Sequence, residues 1–333
     1  MSNFNNLKTL KGVLKYKTLG KRTPLNVSIS VTNRCNLRCS YCDIPYRKQR
    51  EMGTEEIKKI LDDLKEMSCV RVGFWGGEPL LREDIGELIS YSKEKGFYTT
   101  LISNGLLVPQ KIEEIRNIDL LFLSLDGPKE IHDKNRKKGS FDAVLKAIKI
   151  ARENSIPVAT ITVLTEENAN QINYVIQKAE ELDFETTFQV IYRDSDFSEE
   201  EKEAETNYRP IIREIIKMKK KGKPVASSFS YLEHLLDWPD YRKTAIFPKK
   251  MRILRCYGNE LFCNIDTDGK IYPCDWMINR IEGKDCTKLG FKRAWNESQI
   301  PECGGCLKSC YSEYNKMFSF KIETIRNAMK LVN

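Results

Sequence analysis

Histidine is almost missing from this sequence: two residues, His132 and His234, in a chain of 333. A metal site built on imidazole has little to draw on, so metal chemistry must rest on thiols. Also missing are an apolar signal core at the N-terminus and any run of 18 apolar residues, which argues against a secretory signal and a membrane-spanning helix. The eleven cysteines are then expected as reduced thiols of a cytoplasmic protein, available to metal. Charge of one sign is lacking too. The 55 basic and 47 acidic side chains are interleaved and leave a net charge of +8, so no nucleic-acid partner is expected. The length suffices for one large domain and a small one, with enough apolar content to bury a core.

Residues 1–24 carry Leu7, Leu10, Val13 and Leu14 at helical spacing among Lys8, Lys11, Lys15, Lys17, Lys21 and Arg22. This extension is expected as a basic amphipathic helix or short hairpin capping the bottom of the main domain, the alternative being a peripheral contact with a membrane surface. From Asn26 onward, short apolar runs at 26–32, 70–75, 98–103, 120–125, 158–163 and 186–192 alternate with amphipathic segments such as Ile57, Ile60, Leu61, Leu64, Met67. The first of those helices is expected to start with Thr54 as its N-cap after Gly53. Six strands each followed by a helix imply a parallel sheet curling as a partial barrel, with the chemistry at the carboxyl ends of the strands. A longer helix is expected over 198–221, started by the capping box Ser198 and Glu201, its Lys217, Lys219, Lys220, Lys221 and Lys223 forming a solvated face. The aromatic-rich 226–250 reads as a helix packed on the barrel edge, with a lid as the alternative. Near Met251 the composition turns to cysteine and glycine.

Directly after the first strand stand Cys35, Cys39 and Cys42 in C-x3-C-x2-C spacing, with Tyr41 before the last. Structural zinc takes four protein ligands, whereas an iron-sulfur cubane on three thiolates keeps one iron open to a non-protein ligand. This motif resembles that of the radical S-adenosylmethionine (radical SAM) enzymes, in which the open iron of a 4Fe-4S cluster chelates the methionine part of S-adenosylmethionine. The same resemblance covers later strand ends. Gly76-Gly77-Glu78-Pro79 follows the second strand; its glycines admit close backbone approach, and Glu78 or neighbouring carbonyls can accept from an ammonium group. Ser103 and Asn104 after the third strand, and Ser124 and Asp126 after the fourth, fall where family members contact the ribose and the methionine carboxylate. Arg136 is the matching carboxylate-binding guanidinium, with a loop salt bridge as its plainer alternative. Tyr41 is expected beside the adenine.

Seven further cysteines follow in the C-terminal part: Cys256, Cys263, Cys274, Cys286, Cys303, Cys306 and Cys310. Residues 265–274 read as a hairpin turning at Asp268-Gly269. The block resembles the SPASM and shorter Twitch extensions, which hold auxiliary 4Fe-4S clusters. Because no cysteine follows Cys310, one auxiliary cluster is expected rather than two. Its ligands are Cys256 and Cys274 with two of Cys263, Cys303, Cys306 and Cys310; a zinc ribbon is the alternative. Cys69 and Cys286 read as plain buried or surface thiols. Asp275 matches a carboxylate proposed as general base in sulfatase-maturing relatives, or else is a turn residue.

The expected fold is α/β: a partial (β/α)6 TIM-type barrel over 25–225, a connecting segment 226–250, and a small Cys-rich domain over 251–333 with a β-hairpin and a C-terminal helix. The resemblance implies reductive cleavage of S-adenosylmethionine to a 5′-deoxyadenosyl radical, with flavodoxin or ferredoxin as electron donor. Since only about two dozen residues precede the first strand, the expected substrate is a small metabolite, sugar or lipid precursor. A peptide maturase of the SPASM type is the alternative. A noncatalytic electron-transfer protein and a zinc-stabilised binding module complete the alternatives.

Overall fold

The computed structural model describes residues 2–192, 206–246 and 253–330. Helix α1 (Ser2–Leu19) leads into six strand-helix units: β1 (Asn26–Thr32) and α2 (Thr54–Glu66), β2 (Arg71–Gly76) and α3 (Ile85–Glu94), β3 (Tyr98–Ser103) and α4 (Val108–Ile115). They continue through β4 (Leu120–Ser124) with α5 (Lys129–Asn135) and α6 (Ser140–Glu153), β5 (Val158–Leu164) with α7 (Ile172–Glu181), and β6 (Glu185–Val190) with α8 (Arg209–Lys220). The six strands are parallel and pair in chain order. The result is the partial barrel of the expected α/β class.

Alternation along the strands sorts side chains between two environments. In β1, Val27, Ile29 and Val31 are fully buried beneath Ile57, Ile60, Leu61 and Leu64 of α2. Each such side chain contributes about 1.5–3 kcal/mol. The intervening Asn26 and Ser28 face the lumen, as do Arg71, Gly73 and Trp75 of β2. The apolar core therefore lies outside the sheet, under the helices, and the interior is free for a ligand.

The sheet continues beyond β1. Helix α9 (Phe229–Leu236) and β7 (Ala245–Ile246) precede β8 (Phe262–Ile265), which runs parallel to β1; β9 (Lys270–Tyr272) and β10 (Lys284–Asp285) follow antiparallel. The β8–β9 turn is the expected hairpin, with Gly269 at φ +85°. Helices α10 (Cys286–Leu289) and α11 (Phe291–Glu297), strand β11 (Gly305–Cys306), and helices α12 (Ser309–Phe318) and α13 (Ile322–Lys330) complete the described chain. Here β11 pairs with β7. Helix α9 buries Tyr231, Leu232 and Leu235, and Trp238 after it; the Tyr231 hydroxyl donates to the Leu307 carbonyl at 3.2 Å. The aromatic segment is thus a packed helix rather than a lid.

Two local expectations change. Helix α1 packs through Val13 and Tyr16, and a Cβ on Gly12 would meet Leu25 Cδ2 at 2.3 Å. Leu7, Leu10 and Leu14 stay exposed, because the buried stripe is Gly12-Val13-Tyr16 and not the leucine face. Helix α2 is capped by Gly53, whose N–H donates to Glu56 at 2.9 Å, while Thr54 is already helical and donates to Asp84. The Ser198–Glu201 capping box lies outside the described residues. No described helix is long and apolar enough to cross a membrane.

Candidate active site

The loop after β1 carries the first thiols and is fixed by short bonds. The Thr32 hydroxyl and the Asn33 N–H both donate to Glu51 Oε1, at 2.6 and 2.8 Å, and Asn33 Nδ2 donates to Thr267 at 2.9 Å. The Gly76-Gly77 turn docks on it: Gly77 N–H donates to Thr32 O and Glu78 N–H to Arg34 O, each at 2.8 Å. A Cβ on Gly77 would stand 2.3 Å from the Arg34 carbonyl, so only glycine permits this approach. Gly76, at φ +142°, likewise has no room for a side chain.

Glu78 itself does not face the cavity. It is fully buried and accepts from Leu80 N–H (3.1 Å), the Ser103 hydroxyl (2.9 Å) and Asn104 N–H (2.8 Å). Burial pushes its carboxyl up to about 7 against the pull of those donors. The expected acceptor for an ammonium group is thus a brace between the β2 and β3 turns, with Pro79 buried beside it. Asn104 donates to Asn36 at 2.7 Å and lies 3.9 Å from Cys35 Sγ.

Asp126 is a second brace. Fully buried, it accepts from the Tyr41 hydroxyl (2.7 Å), Arg136 Nε (2.7 Å) and Val163 N–H (3.2 Å). Burial raises the Asp126 carboxyl, but Arg136 outweighs it and the pKa falls below the ordinary value. Burial likewise opposes the charge on Arg136, and Asp126 restores it and more. The salt bridge weighed as the alternative for Arg136 is therefore present, and it aims a guanidinium that also lines the cavity. Tyr41, Gly76, Gly77, Ser103, Asn104 and Ser124 line the same cavity.

Cys35, Cys39 and Cys42 border that space together. Burial raises all three thiols, Cys39 to about 11, and each of Cys39 and Cys42 feels its neighbours. Cys35 Sγ accepts Leu37 N–H at 3.4 Å. The three thiols, the Gly77 cradle and the Asn104 amide fit an open-site cluster carrying an amino-acid ligand. Among the described residues no three thiol or carboxylate groups already converge as a metal-ligand set; the chain gathers them without closing them.

The C-terminal thiols divide by the face of β8. Cys263, opposite Val27, points into the helix-covered core, and its nearest thiols are Cys286 and Cys69. It stands apart from the candidate ligands because strand alternation turns it outward. Cys256, Cys274, Cys303 and Cys306 lie together: the Cys256 thiol is raised by Cys303, burial, Cys306 and Cys274, and Cys274 by burial, Cys306 and Cys303 among others. Cys310 is exposed, and it lines the cavity near Asp275 and Cys306. Neither imidazole completes a set, since His132 Nδ1 accepts Asp126 N–H at 3.1 Å and His234 Nε2 bonds the Cys306 carbonyl at 2.9 Å.

Asp275 also lines the cavity. Lys308 Nζ donates to its Oδ2 at 2.8 Å, while its Oδ1 is buried with no hydrogen-bond partner. Lys308 is itself buried and lies 4.0 Å over the Tyr192 ring. The sequence reading missed both Lys308 and the lumen wall of Trp75, Gln189 and Tyr192. The signal available was strand alternation, which separates polar lumen positions from apolar outer ones. The cavity measures about 450 Å³ and runs from the thiol loop to Asn26 and Arg71 at the opposite strand ends.

Residues 29–179 match the Radical SAM superfamily. The chain is 34% identical over 161 residues to the Fe-coproporphyrin III synthase of Methanosarcina barkeri, covering 46% of this chain and 40% of that one. It is 29% identical over 261 residues to the PqqA peptide cyclase of Bradyrhizobium diazoefficiens, covering 75% and 66%. It thus spans less than two thirds of either relative. The fold is that of Streptococcus suis SuiB, whose S-adenosylmethionine-bound structure superimposes at TM-score 0.69 with 18% identity over 88% of this chain and 70% of that one. SuiB is also known bound to the precursor peptide SuiA.

Proposed function

Since residues 29–179 match the Radical SAM superfamily, we propose that this chain is a radical SAM enzyme that modifies a peptide substrate, with S-adenosylmethionine and one auxiliary 4Fe-4S cluster as cofactors. The observation that carries the reading is a single cavity bordered at once by the three-thiol loop, by Arg136, and by Asp275 next to Cys274. Cys35, Cys39 and Cys42 would hold the open-site cluster, and Cys256, Cys274, Cys303 and Cys306 the auxiliary one. Together with S-adenosylmethionine these groups supply a reductively generated 5′-deoxyadenosyl radical, able to abstract hydrogen from an unactivated carbon, and an acceptor for an electron.

The chain's own part is binding, orientation and proton handling. The Gly76-Gly77 backbone would admit the methionine end of the cofactor, and Arg136, held by Asp126 and Tyr41, would bind its carboxylate. Asn104 and Ser124, which line the cavity, would supply hydrogen bonds nearby, while the Ser103 hydroxyl is held by Glu78. The lumen encloses the target carbon away from bulk water. Asp275, its Oδ2 anchored by Lys308, would be the carboxylate that takes a proton from the substrate.

The expectation of a small metabolite, sugar or lipid precursor gives way here. It rested on the short stretch before β1, which is no guide to substrate when peptide recognition can reside in a separate chain. The PqqA peptide cyclase relative and the peptide-bound SuiB favour the maturase alternative. The same reading assigns residues 25–225 to the radical SAM core, 226–250 to a connector and 251–333 to the auxiliary-cluster domain, in a cytoplasmic protein served by a flavodoxin or ferredoxin.

The test is chemical reconstitution under argon followed by reduction with S-adenosylmethionine. We expect 5′-deoxyadenosine from the wild type and none when Cys35, Cys39 and Cys42 are all changed to Ala. Cleavage by that triple variant, or metal analysis returning zinc without iron, would overturn the proposal. A hydrogen-loss or cross-link mass change in a peptide then identifies the substrate.

A further inference from the structure

The end of the cavity remote from the thiols is not the featureless plug that closes most barrels. Asn26, Arg71 and Tyr98 are the first residues of β1, β2 and β3, and they are in register: Asn26 opposes Arg71, which opposes Tyr98. Parallel neighbours in register share a face, so this row points inward, and Asn26 and Arg71 line the cavity. The Arg71 guanidinium lies 4.7 Å over the Tyr98 ring. Among the described residues it makes neither an ion pair nor a side-chain hydrogen bond.

Side chains around it carry buried polar atoms with no partner in hydrogen-bonding geometry. Asn26 is 5% exposed, and its Nδ2 finds no acceptor in hydrogen-bonding geometry, although the Tyr314 hydroxyl is close to both Asn26 and Arg71. Thr324, at 2% exposure, has a hydroxyl with no partner and lines the same space. Nearby carboxylates are already engaged. Asp119 takes Lys93 and Thr99 N–H; Glu313 accepts Ser228 N–H, and burial pushes it up to about 7. A buried amide donor left without an acceptor is costly, and a guanidinium fork matches a carboxylate. Above this row the small Ser28 and Gly73 keep the lumen open toward Trp75.

We propose that Arg71, with Asn26 and Tyr314, is an anion subsite at the floor of the lumen that anchors a carboxylate of the substrate while the distal part of that substrate reaches the thiol end. The inference deepens the peptide reading and rests on it: the carboxylate is an acidic side chain or the C-terminus of the peptide. This fixes which end of the substrate enters first and measures the distance from anchor to reacting carbon by the height of the barrel.

Equilibrium dialysis of the reconstituted protein with three labelled probes tests it: N-acetylglutamate amide (side-chain carboxylate), N-acetylglutamine (terminal carboxylate) and N-acetylglutamine amide (neither). We expect at least one acid to bind about tenfold more tightly than the diamide. Which acid does so names the source. The preference is expected to vanish in Arg71→Gln, to persist in weakened form in Arg71→Lys, and to fall severalfold in Asn26→Leu, which guards against a folding defect in the first variant. No binding by any probe, equal binding of all three, or a preference surviving Arg71→Gln overturns the subsite. Dialysis needs no turnover, so a protein that forms no 5′-deoxyadenosine yet keeps the Arg71-dependent preference would sink the catalytic reading alone.

Discussion

Tyr41 donates a 2.7 Å hydrogen bond to Asp126, and this bond ties the three-thiol loop to the end of β4. Asp126 also neutralises Arg136, with both side chains almost wholly buried. Breaking a buried pair by removing one member leaves an uncompensated charge and costs about 3–5 kcal/mol. Asp126→Ala is therefore expected to destabilise by that amount in chemical denaturation. Tyr41→Phe, which removes one hydrogen bond and leaves the ion pair, is expected to cost about 1 kcal/mol. A cost for Asp126→Ala as small as that of Tyr41→Phe would show that Arg136 does not depend on this carboxylate.

Much of this site was legible in the sequence, for local reasons. C-x3-C-x2-C spacing and the Gly-Gly turn are contiguous, and β-strand alternation within 26–32 or 98–103 is short-range. Less legible were positions whose partner comes from elsewhere in the chain. Glu78 looks like a ligand until Ser103 and Asn104 from the next strand occupy it. Cys263 looks like a cluster thiol until its pairing opposite Val27 fixes which face it takes. Lys308 carries no local signal, because its meaning is the bond to Asp275, thirty-three residues away.

His132 gives a pH signature. Its Nδ1 accepts the Asp126 N–H, so the fold requires the neutral ring, and burial lowers its pKa to about 4 from 6.5. A depressed folded pKa means the contribution is complete above pH 6.5 and is lost as pH falls toward 4. At full extent it amounts to roughly 3 kcal/mol. Glu78 and Glu313, both raised to about 7, give the opposite slope over an overlapping range, so the measurement is a difference. His132→Asn should be less acid-sensitive than wild type between pH 6.5 and 4; parallel curves would refute the assignment.

Glu78→Gln replaces an acceptor by an NH2 group facing at least one of three donors, Leu80 N–H, the Ser103 hydroxyl and Asn104 N–H. The expected loss is about 1–3 kcal/mol. Because the brace joins the two turns that flank Cys35, S-adenosylmethionine binding should weaken as well, which equilibrium dialysis measures. Unchanged stability together with unchanged binding would mean that Glu78 is not the brace described.

The division of the C-terminal thiols predicts an iron count. With one four-iron cluster on the N-terminal loop and one on the second group, the reconstituted chain should hold about eight irons. Joint replacement of Cys256, Cys274, Cys303 and Cys306 by Ala should leave about four, since the loop of Cys35, Cys39 and Cys42 is built by β1 and the Gly77 turn and does not need them. Cys263→Ala and Cys310→Ala should each retain the full complement, the first because its thiol lies in the helix-covered core beside Cys286 and Cys69, the second because it faces the cavity beside Asp275. Iron and sulfide analysis of the four proteins decides it. Loss of half the iron in Cys310→Ala would exchange Cys310 for one of the four, and with it move the auxiliary cluster to the wall of the substrate cavity.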